Sequence, residues 1–238
     1  MRSFITNRAF YSFSPKNIIK VLVLVLLVRP FVWLFLGLNR YSRLKLPTTG
    51  PVIIAANHNS HLDTLLIFAL LPLSVAIRTS CVAAGDYFYG VPILSWLLFD
   101  LFDMIPVWRN KTRNRSQINV FPLPDPLSLI FDALEQGRSI IIFPEGTRGL
   151  PEVRSNLKKG IAKLAISYPH VPIFPVHIRG LGKSLPRGEK IFVPLIPQIA
   201  VGGPLLFVNK MENQIMEELA QHFFILESSL SKKDWVNV

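Results

Sequence analysis

Two short polar segments of this chain contain the residue types that move protons and bind anions. The first spans residues 57–63, with the sequence NHNSHLD, and it places His58 five residues before Asp63. Five residues turn an ideal helix by about 140°, so the two side chains would face apart if both were helical. They can meet if His58 lies in a turn before a helix that Asp63 begins. The carboxylate would then fix the imidazole tautomer and make the other ring nitrogen a candidate general base.

The same residues allow two other interpretations, which the sequence leaves open. His58 can be a structural histidine that caps a turn, with Asp63 as an acid at a helix start. His58, His61 and Asp63 can instead bind a metal ion, although their spacing matches no common metal-binding pattern. The chain has five histidines in all, which leaves few further ligands. We therefore do not expect a metal ion at this segment.

The second polar segment is residues 143–148, with the sequence FPEGTR. Its Arg148 is always charged and can bind a phosphate through two parallel hydrogen bonds. Gly146 permits a tight turn whose N–H group a ligand can approach. Glu145 can orient Arg148 or accept a hydrogen bond from a substrate hydroxyl. The alternative is a purely structural ion pair between Glu145 and Arg148.

Alternating strand and helix patterns predict how these segments are positioned. Apolar runs typical of strands lie at 52–56, 80–84, 104–108, 139–143, 173–178 and 190–196. Helical patterns lie near 61–71, 92–102, 126–136, 158–167 and 209–229, with Asn209 as a candidate N-cap of the last. The alternation predicts an α/β domain with a mostly parallel central sheet flanked by helices. Ligands of such sheets bind beyond the carboxyl ends of the strands, where both polar segments lie.

The composition of the 238 residues points to a partner that is both apolar and anionic. Half of the residues are hydrophobic, 17% are charged, and the formal net charge is +11. These values exclude a disordered chain and favour an anionic lipid surface over nucleic acid, which would not require so much apolar surface. The single cysteine, Cys81, excludes a disulfide scaffold and indicates a reducing compartment.

The basic and apolar character is concentrated near the N-terminus. Residues 1–62 contain eight Lys or Arg and no acid, and they include two eight-residue apolar runs, 21–28 and 31–38, with Arg29-Pro30 between them. A membrane-spanning helix needs about 20 apolar residues, and a proline in its middle would break or kink it.

These features predict a helical hairpin that dips into one leaflet of a membrane and turns at Arg29-Pro30. A kinked single span, with the arginine reaching toward the lipid headgroups, and a buried core helix are the alternatives. We expect residues 1–46 to form this membrane-associated segment and residues 47–238 to form the α/β domain.

Four sequence blocks, taken in order, resemble the glycerolipid acyltransferase family, which includes the 1-acylglycerol-3-phosphate acyltransferases. The family block NH-x4-D is matched by residues 57–63, and the block FPEGTR is matched in full by residues 143–148. An apolar stretch that ends in Arg is matched loosely at 104–109, and the block V-P-x-x-P-V is matched at 171–176. The resemblance covers roughly residues 45–205 of the chain.

The resemblance implies an acyl transfer without a cofactor. His58, polarised by Asp63, would take a proton from the free glycerol hydroxyl of a lysophospholipid, by default 1-acyl-sn-glycerol-3-phosphate. The hydroxyl oxygen would attack the thioester of acyl-CoA or of acyl-carrier protein. The positions that would bind the acceptor are Glu145, Gly146, Thr147 and Arg148, with Arg109 from the second block.

Other functions stay open on the sequence. They are transfer to another lysolipid, hydrolysis of the thioester by water on the same scaffold, and membrane binding without catalysis. The resemblance also implies a location at the cytoplasmic face of a membrane that contains anionic lipid, which is the inner membrane in a bacterium. Nucleic acid is not expected as a partner.

Overall fold

The described part of the chain is built around one six-stranded sheet. A computed structural model describes residues 14–37, 46–84, 101–107, 125–149, 152–153, 155–185 and 191–230. The strands are β1 (Ile53–Ala56), β2 (Thr79–Ala84), β3 (Ile105–Val107), β4 (Ser139–Ile142), β5 (Ile173–Arg179) and β6 (Gln198–Val201). The helices within these residues are α1 (Pro15–Leu36), α2 (Leu62–Leu70), α3 (Leu73–Ala76), α4 (Pro126–Glu135), α5 (Gly160–Ser167), α6 (Leu181–Ser184) and α7 (Glu212–Ser229).

The strands lie in the order β3-β2-β4-β1-β5-β6, and all neighbouring pairs are parallel except β5 with β6. Both faces of the sheet are covered, as a parallel sheet requires. Ile54 and Ala56 of β1 pack with α1 and α2, whereas Ile53 and Ala55 pack with α4, α5 and α7. The α/β fold class predicted from the strand and helix alternation is confirmed.

Two predicted element boundaries at the C-terminal side are wrong. The run at 190–196 is not a strand, because residues 191–197 have no regular structure and the strand is β6 instead. Pro194 and Pro197 lack the N–H group that a ladder needs. Helix α7 is capped by Met211, whose N–H donates to the Gln214 side chain, and not by Asn209. Of the predicted helix at 92–102, only the last two residues lie within the described residues.

The hairpin turn predicted at Arg29-Pro30 is also wrong, because α1 runs through both residues as one 22-residue helix. A π-helical turn at Leu24–Val28 immediately precedes them. The wider turn relieves the clash that a proline ring makes with the preceding turn of an α-helix, so Pro30 is accommodated without a break. By length and composition, this described helix is apolar enough to cross a membrane.

One row of α1 side chains faces the domain. The row is formed by Lys20, Leu24, Val28, Val32 and Leu36, which are all buried. A strict four-residue spacing drifts by about 160° over 16 residues of an ideal α-helix. The π-helical turn advances less per residue and reduces this drift, which keeps the row against the sheet.

Two cations of α1, Lys20 and Arg29, bind the domain, and neither interrupts the helix. Lys20 is fully buried, and its Nζ donates to the carbonyl oxygens of Ile77 and Thr79 at 3.2 and 3.1 Å. Arg29 donates through Nη2 to the carbonyl oxygen of Leu71, at the C-terminal end of α2, at 2.8 Å. A cation at a helix C-terminus is favourable, so both charges hold α1 onto the domain.

Candidate active site

The sheet order brings the two polar segments together. β1 and β4 are parallel neighbours, with Ala55 paired to Ile142, so their carboxyl ends lie side by side. The loops that follow them are joined by a hydrogen bond in which the Gly149 N–H donates to the His58 carbonyl oxygen at 3.1 Å. The imidazole ring of His58 also stacks on Phe143, with ring centroids 3.9 Å apart.

His58 and Asp63 are in contact, as the sequence predicts for a histidine that precedes a helix. Nδ1 of His58 lies 3.0 Å from Oδ2 of Asp63, which is in the first turn of α2. The same carboxylate oxygen accepts the N–H groups of Asn59 and Ser60, each at 2.8 Å. Three donors therefore hold Asp63 in place, and Nδ1–H of His58 is one of them. Nε2 is then the basic nitrogen of the ring.

Two polar side chains of the loop that carries His58 attach this loop to β5 and to the residue that follows α6. The Asn57 amide donates to the carbonyl oxygen of Ile178 at 2.8 Å and accepts the N–H of the same residue at 2.7 Å. Ser60 donates through Oγ to the Leu185 carbonyl oxygen at 3.1 Å. Because these groups are buried and hydrogen-bonded, the loop that carries His58 is held rigidly. The sequence motif predicted neither role.

A cavity of about 360 Å³ opens beside these loops. Its polar lining residues include His58, His61, Thr147, Arg148, Lys158 and the acid Asp125. Its apolar lining residues come from β2, β3, β4 and the helices α4 and α5, and they include Val82, Ala83, Met104, Val107, Leu127 and Ile130. The cavity therefore combines cationic side chains with apolar walls, which suits a ligand that has an anionic group and a hydrocarbon chain.

Arg148 contacts His61 rather than Glu145. The guanidinium Nη1 donates to Nε2 of His61, which ends the loop that begins at His58. Burial, together with the charges of Arg148 and His58, lowers the pKa of His61 to about 4. The ion pair between Glu145 and Arg148, considered from the sequence, is therefore not the arrangement in this structure.

Glu145 differs from the sequence expectation of a substrate contact. Its side chain is buried and does not line the cavity. Burial raises the pKa of Glu145 to about 7, although hydrogen-bonding groups of His58 and Ser155 oppose the shift. The Glu145 carboxyl group therefore supports the loops that follow β1 and β4, and it does not face the cavity.

The remaining predicted site residues occupy different positions. Gly146 has a φ of +73°, a conformation that glycine adopts without strain, and its N–H donates to the Phe143 carbonyl oxygen at 2.9 Å. Gly146 and Thr147 both line the cavity. Arg109 lies outside the described residues, so its predicted role stays a prediction. Within the described residues, no group of three or more His, Cys, Asp or Glu is arranged to hold a metal ion.

His61 is a further functional candidate, which was considered from the sequence only in the alternative of a metal site. Its signal in the sequence is its position, three residues after His58 and two residues before Asp63. That signal places the ring near the site. It does not indicate that the ring meets a residue 87 positions away in the chain.

A comparison with known protein families identifies the family of this chain. A family model described as Acyltransferase matches residues 39–179, which is more than half of the chain, so the chain belongs to the acyltransferase family. The family predicted from the sequence resemblance is thereby confirmed.

Several curated relatives share a more specific description. A 1-acyl-sn-glycerol-3-phosphate acyltransferase of Chlamydomonas reinhardtii is 30% identical over 145 residues, which are 60% of this chain and 39% of that protein. A chloroplastic protein of the same description from Arabidopsis thaliana is 28% identical over 67% of this chain and 40% of its own length. Tafazzin of Drosophila melanogaster is 28% identical over 81% of this chain and 50% of its own length. The chain thus spans less than half of the length of the first two relatives.

A solved structure has the same fold. The crystal structure of the 1-acyl-sn-glycerophosphate acyltransferase PlsC from Thermotoga maritima superposes with a TM-score of 0.65 at 18% sequence identity. The match covers 93% of this chain and 86% of that one. The likeness supports the predicted fold class over almost the whole chain.

Proposed function

We propose that this chain transfers a fatty acyl group from a thioester donor to the free hydroxyl of 1-acyl-sn-glycerol-3-phosphate. The observation that carries the proposal is the 3.0 Å contact between Nδ1 of His58 and Oδ2 of Asp63, in a cavity that also presents Arg148. The names of the curated relatives support the choice of acceptor. Acyl-CoA and acyl-carrier protein both satisfy the chemistry as donors.

The proposed reaction needs only groups that the site contains. Nε2 of His58 takes the proton of the glycerol hydroxyl, and the oxygen attacks the thioester carbonyl carbon. The C–S bond of the tetrahedral intermediate breaks, and the proton on His58 passes to the departing thiolate. Asp63 holds the ring in the required tautomer and stabilises its charged form.

Acceptor binding and exclusion of water decide whether transfer or hydrolysis occurs. In the proposal, Arg148 binds the acceptor phosphate in the cavity, and Lys158, which also lines it, adds positive charge. The apolar walls of the cavity contact a hydrocarbon chain. Holding both substrates together gives the glycerol hydroxyl a large advantage over water, because its effective concentration at the carbonyl is high.

The function is tested by an assay with a labelled acyl-CoA or acyl-carrier protein, with and without lysophosphatidate. We expect labelled phosphatidate to form, and we expect release of free fatty acid without acceptor to be at least about tenfold slower. Free fatty acid as the main product in both reactions would identify a thioesterase. A panel of other lysolipids in the same assay tests the acceptor headgroup.

We further propose that the outer face of α1 docks the enzyme to a membrane. Leu27 and Leu34 on this face are 64% and 67% exposed. The irregular segment 191–196 continues the same surface, because Phe192 packs on Phe31 and Phe35 of the helix while Ile191 is 76% exposed. Exposed apolar patches of this kind mark membrane or protein contacts. Since Lys20 and Arg29 bind the domain, the helix lies against the domain on one side and against lipid on the other.

The membrane proposal predicts that Leu27→Glu combined with Leu34→Glu weakens binding to anionic phospholipid vesicles by about 100-fold, since each buried leucine contributes about 1.5 kcal/mol or more. Flotation or sedimentation with vesicles measures the effect. Ile166→Glu is the matched control, because Ile166 is 47% exposed on α5, which covers the opposite face of the sheet. Equal loss of binding in the control, or none in the double variant, contradicts the proposal.

A further inference from the structure

His61 contacts Arg148 inside the cavity that also contains His58. It is the residue directly before α2, and its backbone is already helical, with φ −61° and ψ −26°. Its Nε2 accepts a hydrogen bond from Nη1 of Arg148, and both side chains line the cavity. The acceptor phosphate is proposed to bind to Arg148 in this cavity. The contact with His61 therefore sets the direction in which the guanidinium points.

The contact requires a neutral His61. A guanidinium has only N–H donors, so its partner must supply a lone pair, and a doubly protonated imidazole has none. The ring must therefore carry its proton on Nδ1 and accept through Nε2. The pKa of His61 is lowered to about 4, so the ring stays neutral across the physiological pH range. The neutral ring also leaves proton transfer to His58.

A neutral acceptor orients Arg148 without cancelling its charge. A carboxylate in the same place would form an ion pair and would compete with the phosphate for the guanidinium. The neighbouring carboxyl of Glu145 is buried outside the cavity and does not take that role. The hydrogen bond from Nη1 of Arg148 to His61 thus fixes the direction of the guanidinium without placing a negative charge beside it.

We propose that His61 is a positioning residue that aims Arg148 at the acceptor phosphate, beside the general base His58. The inference rests on the proposed function and deepens it, because it assigns acceptor recognition to a pair of residues. His61 and His58 lie three residues apart in the same rigidly held loop. This connection would keep the phosphate-binding Arg148 and the base His58 at a fixed separation.

The test compares His61→Phe with His61→Gln in steady-state acyl transfer. Phenylalanine keeps the ring but cannot accept a hydrogen bond, so the acceptor KM is expected to rise about tenfold, the size of one hydrogen bond to a charged group. The donor KM and the pH profile of kcat should not change. Glutamine offers a carbonyl oxygen to the guanidinium and should restore most of the loss.

A second measurement separates positioning from a general packing defect. In the Arg148→Ala background, His61→Phe should have no further effect on the acceptor KM, because the group that His61 orients is gone. Additive effects of the two substitutions would overturn the proposal. So would a His61→Gln variant no better than His61→Phe, or equal losses in donor and acceptor KM.

Binding of glycerol 3-phosphate, measured by calorimetry without any acyl donor, distinguishes failure of this inference from failure of the proposed function. Weaker binding by His61→Phe but not by His61→Gln supports the positioning role even if the wild-type chain transfers no acyl group to lysophosphatidate. Unchanged binding in both variants, with normal binding by the wild type, refutes it. Circular dichroism and the Tm of each variant confirm that it is folded. A wild-type chain that binds no glycerol 3-phosphate also counts against it.

Discussion

Replacing His58 with alanine is expected to lower kcat for acyl transfer by about 10²–10⁴-fold, the usual contribution of a general base. Both KM values should stay within about threefold, because the imidazole contributes to the transition state more than to substrate binding. The reason is the geometry at Nδ1: Asp63 holds that nitrogen at 3.0 Å, so Nε2 is the only group of the pair that can take the hydroxyl proton. Initial rates at saturating donor and acceptor measure the change.

Controls for the His58 experiment use the same loop and an unrelated histidine. Asp63→Asn should lower kcat as well, because an amide NH2 group facing Nδ1 disfavours the tautomer that leaves Nε2 basic. His170→Ala should have no effect, since His170 is an exposed residue of the turn after α5. A folded His58→Ala variant that transfers acyl groups at the full rate would end the general-base assignment.

Replacing Arg148 with alanine is expected to raise the acceptor KM by about 100-fold, with the donor KM nearly unchanged. A bidentate guanidinium–phosphate contact comprises two charge-assisted hydrogen bonds, each worth about 1.5 kcal/mol or more. The side chain lines the cavity, and a neutral His61 orients the guanidinium without offsetting its charge. Full saturation curves for each substrate in turn provide both KM values.

Two further variants make the Arg148 result specific. Arg148→Lys keeps the charge but loses the planar fork, so its acceptor KM should lie between those of the wild type and Arg148→Ala. Lys159→Ala is the matched control, because Lys159 forms an ion pair with Glu212 at 2.8 Å and does not line the cavity. A change confined to the donor KM would instead place the donor's phosphates at Arg148.

Local sequence patterns were sufficient for most of the fold. The apolar runs at 52–56 and 139–143 predicted strands, and these form neighbouring central strands, β1 and β4. The strand prediction was wrong in a segment whose residues cannot all form the hydrogen bonds of a strand. The run at 190–196 has the composition of a strand, but its prolines cannot contribute to a ladder, and its apolar side chains cover α1 and face outward.

The N-terminal segment shows a second kind of failure. Arg29-Pro30 reads as a break because a proline disrupts an ideal α-helix. The structure avoids the break with a π-helical turn and uses the arginine to bind the end of α2. Both solutions depend on a neighbouring helix, which the local sequence does not contain. Whether residue 46 divides two parts of the chain stays a prediction.

The sequence by itself predicted which residues are candidates for chemistry, that His58 and Asp63 could meet, and that an α/β sheet would present them. These features depend on neighbours within a few residues, where chain geometry limits the possible arrangements. Only the tertiary structure decided that Glu145 is buried and that Arg148 is paired with His61. Those outcomes depend on β4 lying next to β1, and such long-range pairing comes from packing of the whole sheet rather than from local preference.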